Sequence, residues 1–360
     1  MGTRHVIVAV LFAALACGRT DLLQVQGAGV AAGGGAGGRE AGIGGASVAG
    51  GASGENSTAT GGSAAVVVHT IVEFEIPTLG SQPREIVTGA DGNLWFTEYK
   101  TDKLGRIAVA GAITEFSVPT SDAGLFGIAA GNDGKLWFAE VLAHQVGYAT
   151  TDGLVTEFSL GADSTLPKGV AVGPDGAPWF TGYFEDTIAR ITPAGISTVL
   201  SCGTVGVWLG ITSGPDGCLW LTGNGIDRLC RLCLDGNATL FDLPSGRSQP
   251  WGIRAGPDGN LWFAEYGGGR IGRITLAGEI AEFPIPTPSS YPIDIVAGPD
   301  GNLWFTEDAG DNIGRITPAG EIAEFPIPTP GSGPAGITIG PDGNLWFVEQ
   351  TGNKIGRINP

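Results

Sequence analysis

The sequence has little histidine: three residues in 360, His5, His69 and His144. Imidazole therefore has few places from which to act as a base or a metal ligand. Basic side chains are also few. Nineteen Lys and Arg stand against 36 Asp and Glu, for a formal net charge of −17. That balance argues against nucleic acid as a partner, because phosphate binding needs clustered Lys and Arg. It argues equally against electrostatic docking on anionic lipid. The apolar run from Val6 to Ala16 is too short to span a bilayer. Signs of long helices are missing too, and 63 Gly and 23 Pro point instead to many turns.

The N-terminus has the layout of an export signal. Arg4 supplies a positive start, and Val6 to Ala16 an apolar core. Ala14-Leu15-Ala16-Cys17-Gly18 resembles a bacterial lipobox, which predicts a signal peptide over 1–17 and lipidation of Cys17. Secretion without a lipid is the alternative. Residues 18–67 are dominated by Gly, Ala and Ser. Such a stretch cannot bury enough apolar area to offset its ordering entropy, so a disordered linker is expected. The folded domain is then 68–360, a monomer held outside the cytoplasm. It would sit on a membrane surface through the lipid anchor alone or in the periplasm, or else be secreted.

What fills the domain is a repeat. A turn followed by a Trp strand occurs seven times, from Gly92-Asn-Leu-Trp95 to Gly343-Asn-Leu-Trp346. The Trp residues are 95, 137, 179, 220, 262, 304 and 346, spaced by 42, 42, 41, 42, 42 and 42. Units of this length with several short strands each predict propeller blades. In the sixth unit the pattern reads as four strands. Ile293 to Ala297 is followed by the turn Gly298-Pro-Asp-Gly301, and Asn302 to Glu307 is apolar throughout. Asn312 to Thr317 and Glu321 to Ile327 complete the unit. The fold class is thus all-β, a seven-bladed β-propeller of four-stranded antiparallel blades.

The two ends of the repeat fit together. The chain stops after a third strand at Pro360, so the seventh unit lacks its outer strand. Thr70 to Ile76 matches the outer-strand sequence Glu321 to Ile327 and is spare. The N-terminal strand should complete the last blade and close the ring.

Besides Cys17, four cysteines lie in or beside the fourth unit. Cys218 and Cys233 sit at facing ends of a predicted hairpin, which makes them the first disulfide pair. Cys202 and Cys230 are then the remaining pair. A four-cysteine zinc site is the alternative reading of Cys230-x-x-Cys233.

The repeated Gly-Pro-Asp-Gly-Asn-Leu-Trp-Phe-Thr-Glu, Asn-Lys-Ile-Gly-Arg-Ile and Glu-Phe-Pro-Ile-Pro-Thr-Pro resemble the streptogramin B lyase (virginiamycin B lyase) family over about 70 to 360. The resemblance implies a seven-bladed propeller that opens a cyclic depsipeptide antibiotic by elimination at a C–O bond, with Mg²⁺ and a histidine base, and so confers antibiotic resistance. There the metal would polarise the ester carbonyl while the base removes a nearby proton. The family's histidines follow the Pro of the first strand in the last two units. Here those positions are Ile293 and Ala335, and the acidic residue before the second Pro is Gly333. Of the family's metal-holding acids, Glu349 alone remains.

Two columns of the repeat invite a functional reading. The Glu ending the Trp strand recurs as Glu98, Glu140, Glu265, Glu307 and Glu349. It would form an acidic ring for a divalent cation, or it pairs with the repeated third-strand Arg (Arg106, Arg190, Arg231, Arg273, Arg315, Arg357), or it simply belongs to the repeat consensus that serves blade packing. Residues that differ between blades are better candidates. The column after Pro includes Arg84, Phe126, Lys168 and Trp251. The next column has Glu85 and Asp294 where Gly is usual, and Trp208 replaces a Pro. Together these predict an aromatic and cationic rim for a small organic or peptide ligand. Lys168 could act as a base if desolvated.

Two functions follow. One is an extracytoplasmic ligand- or protein-binding propeller that has lost the family's histidines. The other is a carbon–oxygen lyase of the virginiamycin B lyase type. The missing histidines favour the first.

Overall fold

The computed structural model describes residues 69–160, 166–182, 186–192 and 195–360. The expected signal peptide, Cys17 and the linker lie outside the described residues. Seven four-stranded antiparallel sheets are arranged in a ring, and no helix occurs among the described residues. The first blade runs Pro83–Thr88, Leu94–Glu98, Lys103–Ile107 and Ile113–Ser117 from the axis outward. The inner strands of the others are Leu125–Ala130, Pro167–Val172, Trp208–Ser213, Pro250–Ala255, Pro292–Ala297 and Pro334–Ile339. Each packs on the next, and the seventh packs on the first.

The ring closes as the sequence predicts. Ile71–Glu75 is the outer strand of the seventh blade, paired with Lys354–Ile358 from Ile71↔Ile358 to Glu75↔Lys354. Phe74 stacks on Trp346 at 5.5 Å, and Glu73 takes both the Thr329 N–H and its hydroxyl. His69 belongs to this seam. Its Nδ1 lies 2.9 Å from the Asn359 carbonyl, and its ring sits 4.5 Å from Phe325.

The repeat motif has a physical reason at each position. Its second Gly has φ near +75° in every turn, where a side chain is strained. Its first Gly lies against the indole: a Cβ on Gly173 would be 2.3 Å from Trp179. The Asp between them accepts the Trp Nε1–H, as Asp342 does from Trp346 at 3.0 Å. All seven Trp rings are buried between blades. The third-strand Gly makes room for the Phe of the second strand. A Cβ on Gly105 would lie 2.0 Å from the Phe96 ring.

The fourth blade departs from this pair in a coupled way. Leu221 replaces the Phe and Cys230 faces it where Gly is usual. The smaller Leu leaves space for the Cys230 side chain, which bonds Cys202. Cys218 and Cys233, one step beyond the Leu219↔Leu232 pair, form the second disulfide. All four thiols beside this blade are thus in disulfides, which excludes the zinc reading and fits an oxidising, extracytoplasmic compartment. Among the described residues no helix is long and apolar enough to cross a membrane.

Candidate functional site

A bulge sets up the site. On each inner strand, two residues oppose one on the second strand; Pro83 pairs Glu98 and Ile86 pairs Phe96, so Arg84 and Glu85 face only Thr97. Bulges re-aim side chains, and here they place the variable residues at one end of the central channel. Thr97 holds the geometry, accepting the Glu85 N–H and donating to the Phe126 carbonyl of the next blade at 2.6 Å. Thr306 does the same between Asp294 and Ala335.

The mouth so formed is two-sided. On blades one to three, the Arg84 guanidinium lies 4.9 Å over Tyr99 and 5.7 Å from Phe126, and it donates to Gln350 Oε1. The Lys168 ammonium lies 4.6 Å over Phe126 and 5.9 Å from Trp251. On blades five to seven, Trp251 packs on Tyr266 at 5.4 Å, and Tyr266 stacks on Tyr291 at 4.9 Å. Ile293 and Ala335 are buried in the same apolar wall, beside Ile86 and Phe96. A neck of about 30 Å³, room for a water molecule, lies below the rim. Glu85, Lys168, Trp251, Arg254 and Asp294 all line it. Beyond it the channel widens to about 280 Å³, lined largely by Ala, Val and Ile.

Arg254 escaped the sequence reading. It replaces Val, Ala or Thr in the fifth column of the inner strands and reaches both the neck and the wider chamber. Its Nη2 lies 3.6 Å from Asp294 Oδ2. A charged residue in an otherwise small, apolar column was the available signal.

Trp208 does not line the rim. It occupies the Pro column, whose members all turn into the blade, and its ring is fully buried. It packs against Gly223, the position where five of the other blades carry the strand-ending Glu. Loss of that Glu makes the room that the indole fills.

The repeated glutamates are likewise inside their blades. Glu98, Glu140, Glu265, Glu307 and Glu349 are fully buried. The expected pairs with the repeated Arg do not form, because register puts Arg106 opposite Trp95 and Glu98 opposite Lys103. Arg106, Arg273, Arg315 and Arg357 lie over the Trp and outer-strand Phe rings instead. The buried Glu is met by the first residue of the third strand or the loop before it, as in Arg270 to Glu265 at 2.7 Å and Thr101 to Glu98 at 2.7 Å. A second Glu from the outer strand stands beside it. Burial, the main cause, pushes Glu140 up to about 9, with Glu157 adding. It pushes Glu307 and Glu349 up to about 8, helped by Glu324 and Glu73.

These environments bear on magnesium. Both Glu349 oxygens lack a hydrogen-bond partner, but the nearby groups are Glu73, Glu75 and the Lys354 ammonium. Among the described residues no three His, Cys, Asp or Glu side chains are gathered where they could hold a metal. The donor set around Glu349 does not fit the ion.

Comparison with known proteins places this architecture. A family model described as the virginiamycin B lyase family matches residues 57–222 and 164–360. The chain belongs to the virginiamycin B lyase family. The chain is 35% identical to a crystal structure of virginiamycin B lyase from Staphylococcus aureus, over 81% of this chain and 100% of that one, with a TM-score of 0.77. A streptogramin B lyase structure is 37% identical over 81% and 97%, with the same score. A third structure is a catalytically inactive His-to-Ala variant of the S. aureus enzyme with quinupristin, 35% identical over 81% and 100%, again at 0.77. A search of curated proteins finds no match. The two positions at which the resemblance places histidine are Ile293 and Ala335, both in the apolar wall.

Proposed function

We propose that this protein is an extracytoplasmic binding propeller, monomeric and tethered through lipid on Cys17, that takes a small organic or peptide ligand at the channel mouth. One observation carries the reading. The residues that break the seven-fold repeat gather at the mouth as aromatic rings and placed charges, while the two histidine positions are Ile293 and Ala335. A His-to-Ala change leaves the S. aureus enzyme catalytically inactive. A rim of Phe126, Trp251, Arg84 and Lys168 is the mixture that organic-ligand sites use, an apolar face with a few oriented polar groups.

The second reading is a C–O lyase acting on a cyclic depsipeptide, and the 35–37% identity to lyase structures favours it. One assay separates the two. Purified protein is incubated with quinupristin, with and without Mg²⁺, and followed by calorimetry and chromatography coupled to mass spectrometry. Binding without ring opening is expected, weakened by Trp251→Ala. Mass-neutral ring opening at an enzymatic rate, lost in Glu349→Ala, sinks the binding reading.

A further inference from the structure

The half of the central channel beyond the neck carries a charge that its wall does not require. Across the seven inner strands the charged residues are Arg84, Glu85, Lys168, Arg254 and Asp294. Four of them occupy the second and third columns, at the mouth end. Arg254 stands apart in the fifth. Of the described residues that line the chamber of about 280 Å³, Arg254 alone is charged; the others are Ala, Val, Ile, Thr and Ser. A lone charge in a wall that is otherwise small and uncharged breaks a local rule at one spot, as functional sites do.

Asp294 does not use up this guanidinium. Arg254 Nη2 is 3.6 Å from Asp294 Oδ2, longer than a hydrogen bond, and that oxygen takes the Ile337 N–H instead. Arg254 Nη1 donates to the Ile253 carbonyl at 2.9 Å. The other N–H groups of its five-donor fork have no acceptor among the described residues, and 34% of the side chain is exposed. Nor do the neighbouring charges cancel it. Arg84 and Lys168 offset Glu85 and Asp294, so the five inner-strand charges leave one positive charge, in a chain whose net charge is −17. The turn aspartates at the chamber end face their own blades, each accepting its Trp indole N–H, and none lines the chamber.

We propose that the chamber is a second binding site, at the end of the channel away from the mouth, for a small apolar monocarboxylate. Its carboxylate would sit on the Arg254 guanidinium and its hydrocarbon part against the Val, Ile and Ala wall. The planar fork of an Arg matches a carboxylate with two parallel hydrogen bonds, and such charge-assisted bonds are the strong ones. Partial withdrawal from water strengthens the attraction further. One cation and no second one in the wall calls for a single negative charge. The volume lies just below the usual range of small-ligand pockets, which calls for a short chain or one ring. The site is separate from the mouth and does not depend on what binds there.

Octanoate is the probe, and octanamide its neutral control of the same shape. In calorimetry at neutral pH the wild-type protein should bind octanoate about ten- to hundredfold more tightly than octanamide, the gain expected from one hydrogen-bonded ion pair. Equal affinities, or no octanoate binding at millimolar concentration, overturn the proposal without any variant. Arg254→Gln should erase the preference for the charged probe; an unchanged preference overturns the role of Arg254. Thr212→Phe places a ring in the chamber and removes no charge, so it should abolish octanoate binding. Unchanged affinity there overturns the site. Location is also read in the wild-type protein by NMR. Octanoate should shift the methyl signals of Val172 and Val296 in the chamber wall and leave the Trp251 indole N–H at the mouth in place. Shifts at Trp251 with none in the chamber overturn the proposal, whether or not the variants fold.

Discussion

Replacing Glu140 with Gln should change how the stability of this protein depends on pH. Glu140 ends the second strand of the second blade, fully buried, with neither carboxyl oxygen hydrogen-bonded. In the first and fifth blades a cation, Lys103 or Arg270, faces the equivalent Glu across the hairpin; here it is Gln145. Burial first, then the charges of Glu157 and Asp102, push the pKa from 4.5 up to about 9. The sign follows from linkage. Between those values the folded protein keeps a proton that the unfolded chain has released. Stability therefore falls as pH rises, by about 1.4 kcal/mol per pH unit from this one group. Below 4.5 both states hold the proton and the group adds no slope. Gln copies the shape of the protonated acid and stays neutral at every pH. The gap between variant and wild type should thus widen by about 3 kcal/mol between pH 6 and pH 8, roughly 5–10 °C in melting temperature. Thermal unfolding at half-unit steps from pH 5 to pH 8.5 reads this directly. Parallel curves for the two proteins would refute the reasoning, because they would show that Glu140 is ionised in the folded state.

Other consequences are simpler. Gly314→Ala places a Cβ 2.1 Å from the Phe305 ring and should cost about 1–3 kcal/mol in urea unfolding, most of it recovered by adding Phe305→Leu, as the fourth blade does with Leu221 and Cys230. Thr97→Val strips the partner from the Glu85 N–H and the Phe126 carbonyl and should cost about 1–3 kcal/mol, while Thr114→Val on the exposed outer strand should be near neutral. Phe74→Ala removes the ring stacked on Trp346 and should cost about 3 kcal/mol, with amide exchange rising first in Lys354–Ile358, the strand it covers. Replacing Cys218 and Cys233 together with Ser opens a 15-residue loop and should lower stability by about 3 kcal/mol, measured without reductant.

The blades were legible because each repeated residue answers a local demand. The turn Gly needs positive φ, Asp needs the indole N–H four residues on, and the third-strand Gly needs space for Phe. These are short-range constraints, so they recur at the repeat spacing and can be read from one unit. Ring closure was legible for the same reason, since the spare strand 70–76 copies Glu321 to Ile327. Trp208 was misplaced because the column alone hides which way a residue turns. Its partner Gly223 lies across the hairpin, on another strand, where a single column cannot show it. Arg254 was missed for a related reason: its meaning depends on Asp294, which comes from another blade.

The sequence by itself determined the number of blades, the strand that seals them and the identity of Ile293 and Ala335. Those follow from period, register and residue identity, which are one-dimensional facts. The structure chose between the disulfide and zinc readings of the four cysteines. Only the tertiary structure decided which charges meet. It separated the repeated Glu from the repeated Arg, because antiparallel register sets them at opposite ends of a hairpin. It brought Glu85, Arg254 and Asp294 from the first, fifth and sixth blades to one neck, because closing the ring makes neighbours of residues some two hundred positions apart. Distances across a closed ring are not written in the spacing of its repeats.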